Sequence, residues 1–345
     1  MKSWGPVLEV WEGYAADLEV RYAGSSGGLA SAIALYCIEQ EAMHGLLHIG
    51  ADKKAPLENE TVLSVSRDEI VARTGSRYAP ASPCDGLSMV AAAPAPCAFI
   101  GKPCDVTGVT LASSLKGELV EKIGVTIGIF CAGTPSSQGT LDLLEKEGID
   151  PQTVEEARYR GKGWPGKFSV KIKEEQMPLE VMTYRDSWGF LQKYRPYRCH
   201  LCPDSTSEFA DIACGDPWYR PVKEGELGQS IAVVRTERGK EILKGAMEKG
   251  YVILKKTDPS ILEKSQREIL QKRGAVWGRI LTMKMFGIPT PKLLGFSLFQ
   301  NWLKLTFKEQ IRSIVGTFRR ILVRKYYMRR RTNFTNTIFE THRKT

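Results

Sequence analysis

Along residues 1–290, short apolar runs alternate with stretches of helical spacing. Gly45 to Gly50, Cys97 to Gly101, Gly124 to Phe130 and Ser230 to Val234 are apolar and nearly free of charge, which predicts buried strands. Leu29 to Gln40, Ser136 to Glu147 and Thr236 to Lys249 carry helical periodicity instead. Such alternation predicts an α/β fold with a partly parallel central sheet flanked by helices. Between Tyr159 and Tyr184 charged and apolar residues alternate as in antiparallel strands, so a mixed sheet is expected. Gly287-Ile288-Pro289-Thr290-Pro291 interrupts any helix and divides the chain into a domain at 1–290 and a tail at 291–345. In the tail Phe299, Trp302, Leu303, Ile311, Ile314, Val315, Phe318, Ile321 and Leu322 recur at helical spacing. Lys304, Lys308, Arg312, Arg319, Arg320 and Arg324 are interspersed, so the tail is expected to be a basic amphipathic helix.

Charge sharpens that division. The net charge is +10, yet residues 299–345 hold 12 Lys and Arg against Glu309 and Glu340, leaving 37 of each sign in the rest. The body is neutral and the tail is basic. At 345 residues and 42% hydrophobic, the chain can build one large core or two modest ones. No apolar run approaches the roughly 18 residues of a spanning helix, and no signal-peptide pattern opens the chain, so the expected location is the cytoplasm. Thiols stay reduced there, which turns the eight cysteines toward metal or redox use rather than disulfides. Cys37, inside the helical run Leu29 to Gln40, is expected to be a buried apolar side chain.

Cys104 follows the strand Cys97 to Gly101 after Lys102-Pro103, and Cys131 follows the strand Gly124 to Phe130 directly. If those strands are parallel, both thiols lie beyond their carboxyl ends, where α/β folds build ligand sites. Cys199-His200-Leu201-Cys202 adds a tight pair, and Pro203 follows it as in ferredoxin ligand runs. Spacing alone leaves three readings: an iron–sulfur cluster, structural zinc, or unrelated buried thiols. Zinc is weakened because such sites more often use two CxxC pairs. A thioredoxin-like reading lacks its βαβ context. Gly24-Ser25-Ser26-Gly27-Gly28 leads into a helix, where free N–H groups suit a phosphate, although an N-cap turn explains it as well. Gly75-Ser76-Arg77-Tyr78 and the Arg160 to Gly166 loop are either anion-contacting loops or turns.

The order of these segments resembles the beta subunit family of coenzyme F420-reducing hydrogenase and dehydrogenase, which includes chloroplast 7-hydroxymethyl chlorophyll a reductase. Ser26-Gly27-Gly28 comes first, then Gly75 to Tyr78, Phe99 to Cys104, Gly128 to Cys131 and Arg160 to Gly166. Cys199 to Asp204 and Gly215-Asp216-Pro217-Trp218 close the series, and the resemblance covers about residues 20–235. It implies FAD beside one 4Fe-4S cluster, with Cys104, Cys131, Cys199 and Cys202 as cluster ligands. Flavin contacts are then expected from Ser26, Gly27, Gly28, Ser76, Arg77, Tyr78, Lys102, Arg160, Gly161, Gly215 and Asp216. Lys193, Arg195 and Arg198 are expected to offset thiolate charge. Cys84 and Cys214 fall near the motifs and are alternative ligands.

The implied activity is an oxidoreductase passing electrons between a two-electron donor or acceptor, such as the deazaflavin coenzyme F420, and a one-electron partner. A ferredoxin-linked reductase of another organic substrate is the alternative within that class, and a non-enzymatic zinc-binding protein is the alternative outside it. Many relatives carry a Cys-rich ferredoxin-like module ahead of this region, and none precedes Cys37 here. A separate redox partner, a ferredoxin or an iron–sulfur subunit, is therefore expected, together with a small-molecule hydride donor or acceptor. The basic tail suits an anionic membrane surface and peripheral attachment on its inner face. Nucleic acid is disfavoured, since no reading module accompanies the charge.

Overall fold

The computed structural model describes residues 4–223 and 225–326. They form two compact units that divide between Arg273 and Gly274. In the first unit the strands are β1 (Glu9–Ala15), β2 (Leu46–Ala51), β3 (Asn59–Ser64), β4 (Cys97–Gly101), β5 (Ile123–Ile129), β6 (Val154–Arg158), β7 (Lys167–Ile172), β8 (Leu179–Thr183), β9 (Ile212–Gly215), β10 (Ser230–Val234) and β11 (Val252–Thr257). Its principal helices are α1 (Leu29–Glu39), α2 (Pro103–Leu115), α3 (Ser137–Lys146), α4 (Tyr184–Leu191) and α5 (Glu237–Glu248). The helix α6 (Arg267–Met285) crosses the division, and α7 (Leu298–Leu303) and α8 (Phe307–Val323) belong to the second unit.

Among the described residues one sheet holds eight strands in the order β11-β1-β10-β9-β5-β4-β2-β3. β2, β4, β5 and β9 are parallel to their neighbours within that group, whereas β3, β10, β1 and β11 pair antiparallel. The mixed, partly parallel sheet expected from the apolar pattern is present. Its antiparallel members are not the ones expected. The alternating stretch Tyr159 to Tyr184 supplies β7 and β8, which form a separate antiparallel sheet with β6. Alternation reports a strand with one covered face, and either sheet provides that.

The near-continuous apolar runs follow from burial on both faces. Ala98, Ile127, Ile212, Cys214, Ala232 and Val234 pack under α1 and under Ile242, Leu243 and Ala246 of α5. Their sequence neighbours Cys97 and Phe99 pack against Val106 and Val109 of α2 on the other side. Ala213, Ile231 and Val233 likewise meet Ile261, Leu262 and Ile269 there. Side chains alternate faces along a strand, so both registers must be apolar. Every side chain from Ala32 to Cys37 is buried, as a helix apolar all round requires, and Cys37 is the core residue its context predicts. The small sheet carries its own core, with Leu143 and Leu144 of α3 and Leu191 of α4 against Tyr159, Phe168 and Val170.

In the second unit Trp277 lies with its ring centre 4.9 Å from Phe299 and 4.6 Å from Trp302. Residues 274–290 thus pack with the tail, so the compact unit begins inside α6 and not at the Gly287 to Pro291 break. Among its described residues the tail forms two helices where one was expected. Thr306 ends α7's extension and caps α8, donating its N–H to Glu309 while Glu309 N–H returns to the Thr306 hydroxyl, a reciprocal capping box. Residues 327–345 of the basic tail lie outside the described residues.

Candidate functional site at the carboxyl edge of the sheet

β4, β5 and β9 are consecutive parallel strands, and each delivers motif residues at its carboxyl end. Past Gly101 of β4, α2 opens on Lys102-Pro103-Cys104, with the Lys102 N–H held by Asp105 at 2.9 Å and its ammonium 2.6 Å from the same carboxylate. Past Ile129 of β5, the Cys131 N–H donates to Ser205 O at 2.9 Å. Past Gly215 of β9 comes Asp216. The parallel pairing needed to bring Cys104 and Cys131 together is present.

Cys199 and Cys202 reach the same edge through the segment that follows them. Ser207 packs on β5 so closely that a Cβ at Gly128 would lie 2.2 Å from its own Cβ, which only glycine permits. Asp204, buried, accepts the N–H groups of Thr206 at 3.0 Å and Glu208 at 2.9 Å. Asp211 accepts from Thr126 N–H and hydroxyl at 2.8 Å each and from the Thr236 hydroxyl at 2.6 Å, tying the loop to β5 and to the start of α5.

The thiols are free, and they sense one another's charge: Cys104 with Cys131, Cys131 with Cys199, and Cys202 with Cys131. Burial pushes the thiols of Cys104, Cys131 and Cys202 up. Three cations pull the other way: Lys102 acts on Cys104 and Cys131, Arg198 on Cys104, and Lys272 on Cys131 and Cys202. Lys272, on α6, also donates to Ser205 Oγ at 3.0 Å and Ala132 O at 3.3 Å. Nothing in its local sequence marks it; only long-range packing brings it to the thiols. Of the cations expected here, Arg195 is turned to Ala132 O at 2.7 Å and toward Trp188, and Lys193 lies over Phe190. Cys84 sits against Asp105 O, and Cys214 packs in the core under α1. Among the described residues no three His, Cys, Asp or Glu side chains converge tightly enough to share one metal ion.

The remaining motif residues form a frame beside the thiols. Arg160 is buried and pairs with both oxygens of Asp216, at 3.0 and 2.7 Å, while its Nε donates to Pro165 O at 3.1 Å. Burial alone would lower this guanidinium, but Asp216 and the neighbouring tyrosines more than offset it and its charge is held firmly. Trp164 Nε1 donates to Asp216 at 2.9 Å. The guanidinium lies 4.4 Å from the centre of Tyr184, which stacks on Trp218 at 5.6 Å and 5°. Tyr78 packs between Tyr159 and Trp188. Arg77 donates to the carbonyls of Pro56, Glu58 and Ala157 and to Asn59, so its charge braces loops.

The Gly24 to Gly28 turn is fastened into the same frame. Gly27 N–H donates to Ser230 Oγ at 2.8 Å, and a Cβ there would lie 2.9 Å from Gly13 O, so glycine is needed for the backbones to approach. Ser26 donates to Gln229 O, and Gly28 adopts φ +70° at the start of α1. Ser76 N–H donates to Ser25 Oγ at 2.6 Å, and the Arg158 guanidinium bridges Ala23 O and Thr74 O at 3.1 and 3.2 Å. Gly161 closes on Ala23 O at a spacing that excludes a side chain. Gly215 lies against the Phe130 ring, next to Cys131.

Beside Gly13 and Gln229 lies an open cavity of about 490 Å³, lined also by Glu12, Tyr14, Tyr219 and Lys255. The Tyr219 hydroxyl donates to Glu12 at 2.7 Å, and burial together with that bond pushes it up to about 12. Nothing in the local sequence marks these residues.

A buried α/β sheet that gathers four thiols, an arginine–carboxylate pair and stacked aromatic rings at one edge defines a redox-type site. Known proteins agree with that class. The amino-terminal region of the family described as coenzyme F420 hydrogenase/dehydrogenase, beta subunit, matches residues 10–87, and the carboxy-terminal region of the same family matches residues 96–260. The chain belongs to the coenzyme F420 hydrogenase/dehydrogenase beta subunit family. It is 25% identical over 299 residues to the coenzyme F420 hydrogenase subunit beta of Methanothermobacter thermautotrophicus, covering 83% of this chain and 99% of that one. The corresponding protein of Methanococcus voltae is 26% identical over 80% of this chain and 95% of its own length. A coenzyme F420-dependent sulfite reductase of Methanocaldococcus jannaschii matches 65% of this chain with 35% of its own, at 24% identity. A chain of the F420-reducing NiFe hydrogenase complex from Methanosarcina barkeri shares the fold, with TM-score 0.65 and 23% identity over 83% of this chain and 95% of that chain.

Proposed function

We propose that this chain is an iron–sulfur flavoprotein that moves electrons between a two-electron organic carrier, coenzyme F420 or a similar molecule, and a one-electron protein partner. The observation that carries the reading is the edge at which β4, β5 and β9 end, where Cys131 lies within electrostatic reach of Cys104, Cys199 and Cys202 beside the Arg160–Asp216 frame. In a 4Fe-4S cluster each thiolate binds its own iron, which suits cysteines brought to one edge from separate segments. Zinc would draw all its donors to about 2.3 Å from one centre, and metal analysis separates the two.

When bound, FAD would take two electrons together and release them singly, and the cluster would carry them one at a time. Cys104, Cys131, Cys199 and Cys202 would hold the cluster, and Lys102, Arg198 and Lys272 set positive charge against its thiolates. The expected flavin contacts divide. Tyr78, Arg160, Gly215 and Asp216 keep the loops and aromatic rings fixed around the site, whereas Lys102 stands at the cysteine edge. The open cavity by Glu12, Tyr14 and Tyr219 is of the size that accepts a small organic molecule. Relatives named as subunits of hydrogenases and formate dehydrogenases support a protein partner for the single electrons.

Anaerobic purification with iron, sulfide, zinc and flavin analysis tests the reading. Iron and sulfide in equal amounts with bound FAD are expected; zinc without iron or flavin overturns it. Reduced F420, NADH and NADPH offered as reductants of the bound flavin then separate an F420-linked enzyme from a reductase fed by ferredoxin.

A further inference from the structure

The helix α8 is packed the unusual way round within its unit. A surface helix normally turns its apolar stripe inward. Here Ser313, Thr317 and Ile321 are the buried positions, and Ser313 sits so close to Gly278 of α6 that a Cβ there would meet its hydroxyl at 2.1 Å. The same hydroxyl accepts from Trp302 Nε1 at 3.1 Å. The bulky residues face out: Phe307 is 76% exposed, Ile311 44%, Val315 56%, Phe318 41% and Leu322 48%. On a helix of 3.6 residues per turn these five share an arc of about 80°. Phe286, itself exposed, extends the patch against Phe318 at 5.4 Å.

One border of that arc is basic. Lys308, Arg312 and Arg319 follow the stripe along its length and are exposed. The single carboxylate in α8, Glu309, is used in capping Thr306. No helix among the described residues is long and apolar enough to cross a membrane. An apolar stripe with a cationic flank on a helix of low overall hydrophobicity is the signature of a helix that lies in a lipid interface. In an antiparallel pair of copies packed through the stripe, basic border would face basic border, so that association is opposed by charge.

We propose that α8 docks on an anionic phospholipid surface, with Phe307, Ile311, Val315, Phe318 and Leu322 entering the acyl boundary and Lys308, Arg312 and Arg319 meeting the headgroups. Docking depends on neither flavin nor iron, so it stands or falls separately from the redox reading.

The test is flotation of the full chain, as purified, with vesicles of phosphatidylcholine alone or mixed with phosphatidylglycerol. The full chain is expected to float with the anionic vesicles at least tenfold more than with the neutral ones and to be released by high salt. Val315→Glu with Leu322→Glu is expected to abolish flotation while the thermal unfolding profile stays unchanged, because both positions are exposed. Lys308→Gln is expected to weaken it roughly fivefold, the contribution of one basic residue near a charged membrane. Because these variants keep residues 327–345, they isolate α8 from the rest of the basic tail. Equal flotation of the Val315/Leu322 variant and the parent, failure of the parent to float, or a dimer of the parent that the same substitutions dissolve would each overturn the proposal.

Discussion

The Arg160–Asp216 frame and the cysteine edge lie side by side at the ends of β5 and β9, and they spend their polar groups in opposite ways. Around Arg160 every charge is answered: two bonds to Asp216, one to Pro165 O, and tyrosine and tryptophan faces over the guanidinium. At the cysteines, the cation Lys272 is directed at neutral acceptors, Ala132 O and Ser205 Oγ, beside thiols that burial keeps protonated. A saturated cluster of bonds resists change and holds position. A set of thiols with positive charge around it is arranged to be held as thiolates. Motif residues of equal prominence in the sequence therefore divide into a frame and a site.

Substitutions can break or sharpen that contrast. Removing the buried guanidinium with Arg160→Ala leaves Asp216 uncompensated and is expected to cost about 3–5 kcal/mol in urea unfolding. A loss below about 1 kcal/mol would show that the frame is not bearing the buried pair. Acid gives a reference outside both regions, in β2 of the sheet. Burial, aided by Arg73, lowers the buried His48 from 6.5 to about 4, so the native state binds its proton later than the unfolded chain does. Its contribution is complete above pH 6.5 and is lost as pH falls toward 4, amounting to about 3 kcal/mol, and His48→Gln should flatten the urea midpoint over that window.

Smaller effects distinguish the cysteines themselves. Cys214→Ala in the core is expected to destabilise by about 1 kcal/mol and leave the iron content unchanged. Cys104 is crowded around its sulfur but its side chain still reaches solvent, so Cys104→Ala should alter stability by no more than about 0.5 kcal/mol yet strip the iron, and retained iron would remove it from the ligand set. Lys272→Gln is expected to shift stability least and to lower the reduction potential of the bound cluster by roughly 50 mV, read by spectroscopic redox titration. An unchanged potential would mean that this ammonium only braces Ala132 and Ser205.

Much of this arrangement was legible before any coordinates. The apolar runs became β2, β4, β5 and β10, and Cys37 went to the core, because burial on both faces leaves no room for polar residues in either register. Cys199 and Cys202 stood out by spacing, and the parallel pairing expected to bring Cys104 and Cys131 to one edge is present. Other readings needed the fold. Gly27 looked like a phosphate-binding glycine, but its N–H goes to Ser230, some 200 residues away in sequence, because β10 lies beside β1. Arg77 looked like an anion contact and became a brace for the chain around Asn59.

What the sequence by itself determined is the alternation of elements, the cysteine pair with its family context, and the separation of a neutral body from a basic tail, since all three are written in local spacing and composition. Only the tertiary structure decided that Lys272 joins the thiols, that the motif loops lock into a frame through Arg160 and Asp216, and that α8 turns Ser313 and Thr317 inward and its apolar stripe outward. Periodicity states that an element has a covered face. Which surface covers it, or whether lipid does, depends on close approaches such as that of Ser313 to Gly278, made by residues far apart along the chain.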